Sequence, residues 1–154
     1  MAVAFYQTAH CPQLIDTLLF KLSQKSQTVD TCTLWTGPID RYGYGFHRMV
    51  HDGKRLRLHV HRLAYFLAYP TQKLSPKLHV SHLCHNKLCI NVMHFSYETA
   101  CVNNARKICR RSGECTGHRG YRRCALDLVK CYVDALLLLL LLLLFLLLAG
   151  WSSP

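Results

Sequence analysis

Cysteine and histidine supply most of the reactive side chains in this 154-residue chain, nine of the first and ten of the second. Two groups of them fall at metal-ligand spacings. In Cys84-x4-Cys89-x4-His94, three soft or borderline donors lie close together in the chain. Zinc takes four donors of this kind, and a structural site closes with a fourth from elsewhere. Cys32, on an early strand, is the candidate for that fourth position. The second group, Cys109-x5-Cys115-x2-His118-x5-Cys124, holds a Cys3His set with nothing borrowed. Cys11, Cys101 and Cys131 fit neither group and read as incidental. Metal ligation is preferred to a disulfide framework because no secretory signal is legible. Met1–Tyr6 has no basic n-region, and Asp16 and Thr17 interrupt the apolar stretch at Leu14–Phe20.

With the ligands assigned, His82 stands two residues before Cys84 at a strand end, and Asn103 lies on a following helix. An imidazole titrating near neutrality can take a proton from water. A hard divalent ion on an oxygen ligand can hold a scissile phosphate and stabilise the leaving oxygen. The surrounding charge fits that chemistry. The net charge is +11 with eight acids in all, and the pI is about 9.4, so a polyanionic partner is expected. A multi-span membrane protein, a collagenous chain and a wholly disordered chain are excluded. The 51% hydrophobic content is inflated by twelve leucines at Leu136–Leu144 and Leu146–Leu148. Without 135–151 the mean hydropathy falls from +0.09 to roughly −0.3.

The elements that must position these groups are read from periodicity. Pro12–Lys25 predicts an amphipathic helix with proline in its first turn. Ser23–Asp30 reads as a polar linker and Thr31–Trp35 as a short strand. Tyr42–Val50 and Lys54–His61 alternate about Asp52-Gly53, a hairpin signal. Arg55, Arg57 and His59 share one face of the second run, with Leu56, Leu58 and Val60 on the other. Arg62–Ala68 is helical until Pro70, Thr71–Lys77 is a loop and Leu78–Leu83 is a third apolar strand. Cys84–Met93 is expected to be irregular, and Ser96–Lys107 helical with Ser96 as its N-cap. Cys109–Cys124 has almost no apolar content, so it is either disordered or tied by metal. A structural zinc contributes about 10 kcal/mol, enough to replace a missing core. The class is α+β.

Val80-Ser81-His82-Leu83-Cys84-His85-Asn86, followed by Cys89, Asn91 and His94 and then Asn103-Asn104-Ala105-Arg106, resembles the His-Cys box of homing endonucleases. These are His-Me finger, or ββα-metal, nucleases related to the HNH group. Tyr42-Gly43-Tyr44-Gly45-Phe46 and Val60-His61-Arg62-Leu63-Ala64-Tyr65 resemble the flanking sheet and helix, and Cys115-Thr116-Gly117-His118 the second zinc loop. The resemblance covers roughly Cys32–Cys124. It implies a small ββα-metal nuclease core with an antiparallel β-ribbon and two zinc-stapled loops. His82 would be the general base and Asn103 the ligand of one catalytic Mg2+. Two structural Zn2+ would sit on Cys32, Cys84, Cys89 and His94, and on Cys109, Cys115, His118 and Cys124. Ser81 stands where HNH enzymes often carry a metal-binding acid, so a one-ligand metal site is implied. Arg55, Arg57 and His59 would face double-stranded DNA, with Arg55 or Arg57 contacting the scissile phosphate.

The expected organisation is therefore an N-terminal helix and linker over 1–29, a zinc-binding endonuclease domain over 30–124, and a linker with a leucine tail over 125–154. Three functions follow: a metal-dependent DNA endonuclease, a catalytically inactive zinc-dependent DNA-binding module, and a tail-anchored membrane protein. The resemblance implies a nuclear location and allows a homodimer, although the family's dimerising tail is not recognisable. In its place Ala135–Trp151 gives 17 consecutive apolar residues, just long enough to span a bilayer. It reads equally as an anchor or as a low-complexity leucine run.

Overall fold

The computed structural model describes residues 4–6, 9 and 11–126. Helix α1 (Pro12–Ser23) starts on proline, whose missing N–H costs nothing at a helix N-terminus. It buries Leu18 and Leu22 and leaves Phe20 exposed. Strands β1 (Ser26–Val29) and β2 (Cys32–Trp35) form an antiparallel hairpin. The expected polar linker over Ser23–Asp30 is thus corrected, because β1 lies inside it. Backbone pairing to β2 holds this strand, not burial. Three of its four residues are exposed, so it leaves no hydrophobic period in the sequence.

Strands β3 (Phe46–His51) and β4 (Lys54–His59) form the second hairpin. Asp52 and Gly53 both have positive φ, 49° and 70°, as a type I′ turn requires and as this dipeptide favours. Leu56 and Leu58 of β4 are buried while Arg55, Arg57 and His59 are exposed, the two faces that the alternation predicts. Helix α2 (Val60–Ala68) follows at once and buries seven of its nine residues. Together with Trp35, Leu74, Val80, Ile90 and Phe95 it makes the main core.

Strand β5 (Leu78–His82), a loop with a 3-10 turn at Val92–His94, strand β6 (Phe95–Thr99) and helix α3 (Ala100–Ser112) follow in ββα order. The helix expected from Ser96 begins at Ala100 instead. Residues 95–99 pair in register with β5, from His82 opposite Phe95 to Leu78 opposite Thr99. That pairing buries Ser96 and Glu98 and overrides the capping signal at Ser96. Thr99 is the cap, its hydroxyl accepting from the Val102 N–H at 3.4 Å. The leucine tail, and the anchor reading with it, lies outside the described residues. Among the described residues no helix is long and apolar enough to cross a membrane.

Candidate functional site

The irregular loop 84–94 is held where the sequence leaves it without a core. Strand β2 lies against it: the Trp35 N–H donates to Leu88 O at 2.9 Å and the Ile90 N–H to Thr33 O at 2.7 Å. This docking delivers Cys32 to Cys84, Cys89 and His94. Their four donor atoms lie within 4.8 Å of one another. His94 Nδ1 is 3.5 Å from Cys32 Sγ and 3.5 Å from Cys89 Sγ. A tetrahedral zinc with Zn–S near ~2.3 Å and Zn–N near ~2.1 Å has an S···N edge of about 3.6 Å. The cluster therefore has both the donor chemistry and the dimensions of a zinc site.

The second tetrad repeats this geometry. His118 Nε2 is 3.5 Å from each of Cys109, Cys115 and Cys124 Sγ, and all four donor atoms again lie within 4.8 Å. Cys109 comes from the last turn of α3, which ends on Gly113 in the left-handed region at φ 74°. Among the described residues apolar support for the loop beyond is slight, with Leu126 alone packed against the three buried cysteines. Three contacts tie this loop to the rest, one of them from Arg122 Nη1, which donates to Phe95 O at 3.4 Å. The Ala125 N–H donates to Leu83 O at 2.9 Å, next to His82. Arg106 Nη1 donates to Cys124 Sγ at 3.6 Å while its other nitrogens grip Glu98 at 2.7 and 2.6 Å. Cys11 and Cys101 are exposed and belong to neither tetrad. Cys131 lies outside the described residues.

His82 and Asn103 line one cleft. Its inner part, about 310 Å³, also includes Tyr44, His59, His61, Arg62 and His79. An adjoining part of about 470 Å³ adds His85, Lys87, Asn104, Lys107 and Arg110. The His82 ring packs among His61, Phe95 and Tyr44 at centroid distances of 4.8, 5.3 and 6.1 Å. Its Nε2 sits 3.2 Å from the Cys89 carbonyl oxygen. Burial holds its pKa down to about 4. The bond to Cys89 opposes that shift, and His85 and His94 add to it. The ring is therefore uncharged at neutral pH. His61 is held well below the ordinary range by complete burial first, then by His82, His59 and Arg62. Asn103 comes from the first turns of α3, and its Nδ2 is 3.0 Å from His79 Nδ1.

The ribbon residues separate. Arg55 and Arg57 line a shallow trough with Arg48, Met49, Val50 and Leu56. Arg57 stacks over the Phe46 ring at 3.9 Å and lies 3.9 Å from Asp40 Oδ2. His59 bonds the same carboxylate oxygen at 3.2 Å and stacks on His61, which places it in the cleft wall. Arg48, directly opposite Arg57 in register, was not singled out from sequence. The signal was the alternation Phe46-x-Arg48-x-Val50, which pairs with the basic face of β4. Lys87 and Arg110, facing the cleft from a loop and a helix, carried no local signal.

Among comparisons with known proteins, no curated protein and no solved structure matches the chain. Residues 20–135 match a family described as the zinc-binding loop region of homing endonuclease, which is more than half of the 154 residues. With its two Cys/His tetrads in place, the chain belongs to the family of the homing endonuclease zinc-binding loop region.

Proposed function

We propose that the chain is a divalent-metal-dependent DNA endonuclease in which His82 is the general base and Asn103 holds the catalytic Mg2+. One observation carries this reading: His82 Nε2 faces the Cys89 carbonyl inside the cleft that Asn103 shares. A carbonyl oxygen only accepts, so Nε2 carries the proton and the lone pair is on Nδ1. The base is thereby locked in one tautomer by the backbone of a tetrad cysteine. The first zinc site would thus set the geometry of the chemistry without taking part in it.

His82 Nδ1 would receive the proton of the attacking water. Asn103 is the hard oxygen donor that fits a magnesium ion, whose remaining positions suit water and phosphate oxygens. No carboxylate lines either part of the cleft among the described residues, in keeping with a single protein ligand. When bound, the ion supplies electrophilic stabilisation of the scissile phosphate and its leaving oxygen. Lys87, Lys107 and Arg110 on the cleft rim would neutralise flanking phosphates. The β3–β4 ribbon, with Arg48, Arg55 and Arg57 on one face, would lie along duplex DNA, and a two-stranded ribbon fits the major groove.

The test is plasmid nicking in magnesium with zinc retained. His82→Ala and Asn103→Ala are expected to lose nicking and to keep duplex binding. Unchanged nicking in His82→Ala overturns the assigned base. Tight duplex binding without nicking by the wild-type chain, in both magnesium and manganese, identifies a binding module instead.

A further inference from the structure

Helix α3 docks on the β5–β6 pair through two polar contacts that lie side by side. Asn103 and Arg106 are three residues apart and so share a helix face. Their partners, His79 and Glu98, lie directly opposite each other in the strand register. Arg106 and Glu98 make a buried, two-pronged ion pair, which fixes how the helix sits on the sheet. Asn103 and His79 form the outer contact, where His79 is exposed and Asn103 half-buried.

A primary amide can present either its nitrogen or its oxygen to a neighbour, and the torsion separating the two is soft. The two choices have opposite consequences for a cation. If Nδ2–H donates to a lone pair on His79 Nδ1, Oδ1 is turned away and available as a hard ligand. If Oδ1 accepts from a proton on Nδ1, the NH2 group is turned outward, and it repels a cation. We propose that His79 is a positioning residue that accepts the Nδ2–H of Asn103 at Nδ1 and so aims Oδ1 at the divalent ion. The inference rests on the reading of Asn103 as that ion's ligand. It explains how a single neutral amide suffices, since the orienting partner is built into the strand beside it. Partners of this kind sustain metal affinity or activity by about 10- to 100-fold.

The full zinc-loaded chain tests this in two ways. Long-range proton–nitrogen correlation spectra read the His79 tautomer directly, and a proton on Nε2 with a lone pair on Nδ1 is expected. A proton on Nδ1 overturns the proposal whether or not the protein cuts DNA. In nicking assays, His79→Ala is expected to raise the half-saturating Mg2+ concentration by about tenfold or more. Duplex affinity in magnesium-free buffer should be unchanged, because His79 makes only the exposed outer contact and the buried Arg106–Glu98 pair keeps the helix in place. His79→Asn, whose oxygen lies near the position of Nδ1, should restore the wild-type magnesium dependence. An unchanged magnesium requirement in His79→Ala, or parallel loss of duplex binding, overturns the positioning role. A wild-type chain that never nicks overturns the nuclease reading instead, and the tautomer still decides the contact.

Discussion

Removing two ligands of the second tetrad, as in a Cys115→Ser/His118→Ala variant, withdraws the main support of residues 113–126. Ordering the backbone of these fourteen residues costs about 14 kcal/mol at about 1 kcal/mol each. The half-buried Leu126, the one apolar partner of the cysteines among the described residues, returns about 1 kcal/mol. A structural zinc contributes about 10–16 kcal/mol, which matches the deficit. The rest of the fold does not share this dependence, since the main core draws on residues up to Tyr97 and on none of the second loop. The double variant is therefore expected to bind one zinc per chain by elemental analysis in place of two. In hydrogen exchange, the Ala125 amide, bonded to Leu83 O, should lose protection while those of β3, β4 and α2 keep theirs. A variant with one zinc and an Ala125 amide as protected as in the wild type would refute the reasoning.

Other outcomes follow from the same contacts. Arg106→Met leaves the buried Glu98 carboxylate without its two-pronged partner and should lower stability by about 3–5 kcal/mol; a loss under about 1 kcal/mol in urea unfolding would contradict it. Burial alone would raise the Glu98 carboxyl, but the bonds from Arg106 and Ser96 outweigh it and hold it below the usual range. Its contribution is thus complete above the unfolded value near ~4.3 and is lost as pH falls through the lower folded value. Stability in that acid window should consequently fall less steeply in Glu98→Gln than in the wild type. Gly45→Ala would place a Cβ 2.5 Å from Trp35 Cδ1 and 2.7 Å from Val60 Cγ2, and should cost about 1–3 kcal/mol by thermal unfolding. Arg48→Ala and Arg55→Ala should each reduce the slope of log affinity against log salt by about 0.9, measured by fluorescence anisotropy on a short duplex; unchanged slopes would remove the ribbon from the interface.

The chemistry that could be read along the chain was the chemistry written within a few residues. The Cys109–Cys124 set, the Cys84–His94 run and the Asp52-Gly53 turn each carry their ligand spacing or dihedral preference locally. The alternation of β4 likewise sorted Arg55 and Arg57 from Leu56 and Leu58, because side chains on a strand switch faces at every step. Tertiary structure decided whatever needed a partner far off in the chain. Cys32 was legible as a donor, but the pairing of Thr33 and Trp35 with Ile90 and Leu88 brings it to the tetrad. Strand β1 was silent because backbone hydrogen bonds hold it and these leave no hydrophobic period. Ser96 looked like a helix cap until cross-strand pairing and burial claimed it for β6. The tautomer of His82 and the orientation of Asn103 depend on a carbonyl seven residues away and on an imidazole 24 residues away. Residue type supplies the capacity to take a proton or ligate a metal, and only packing fixes which atom of each ring or amide faces the cleft.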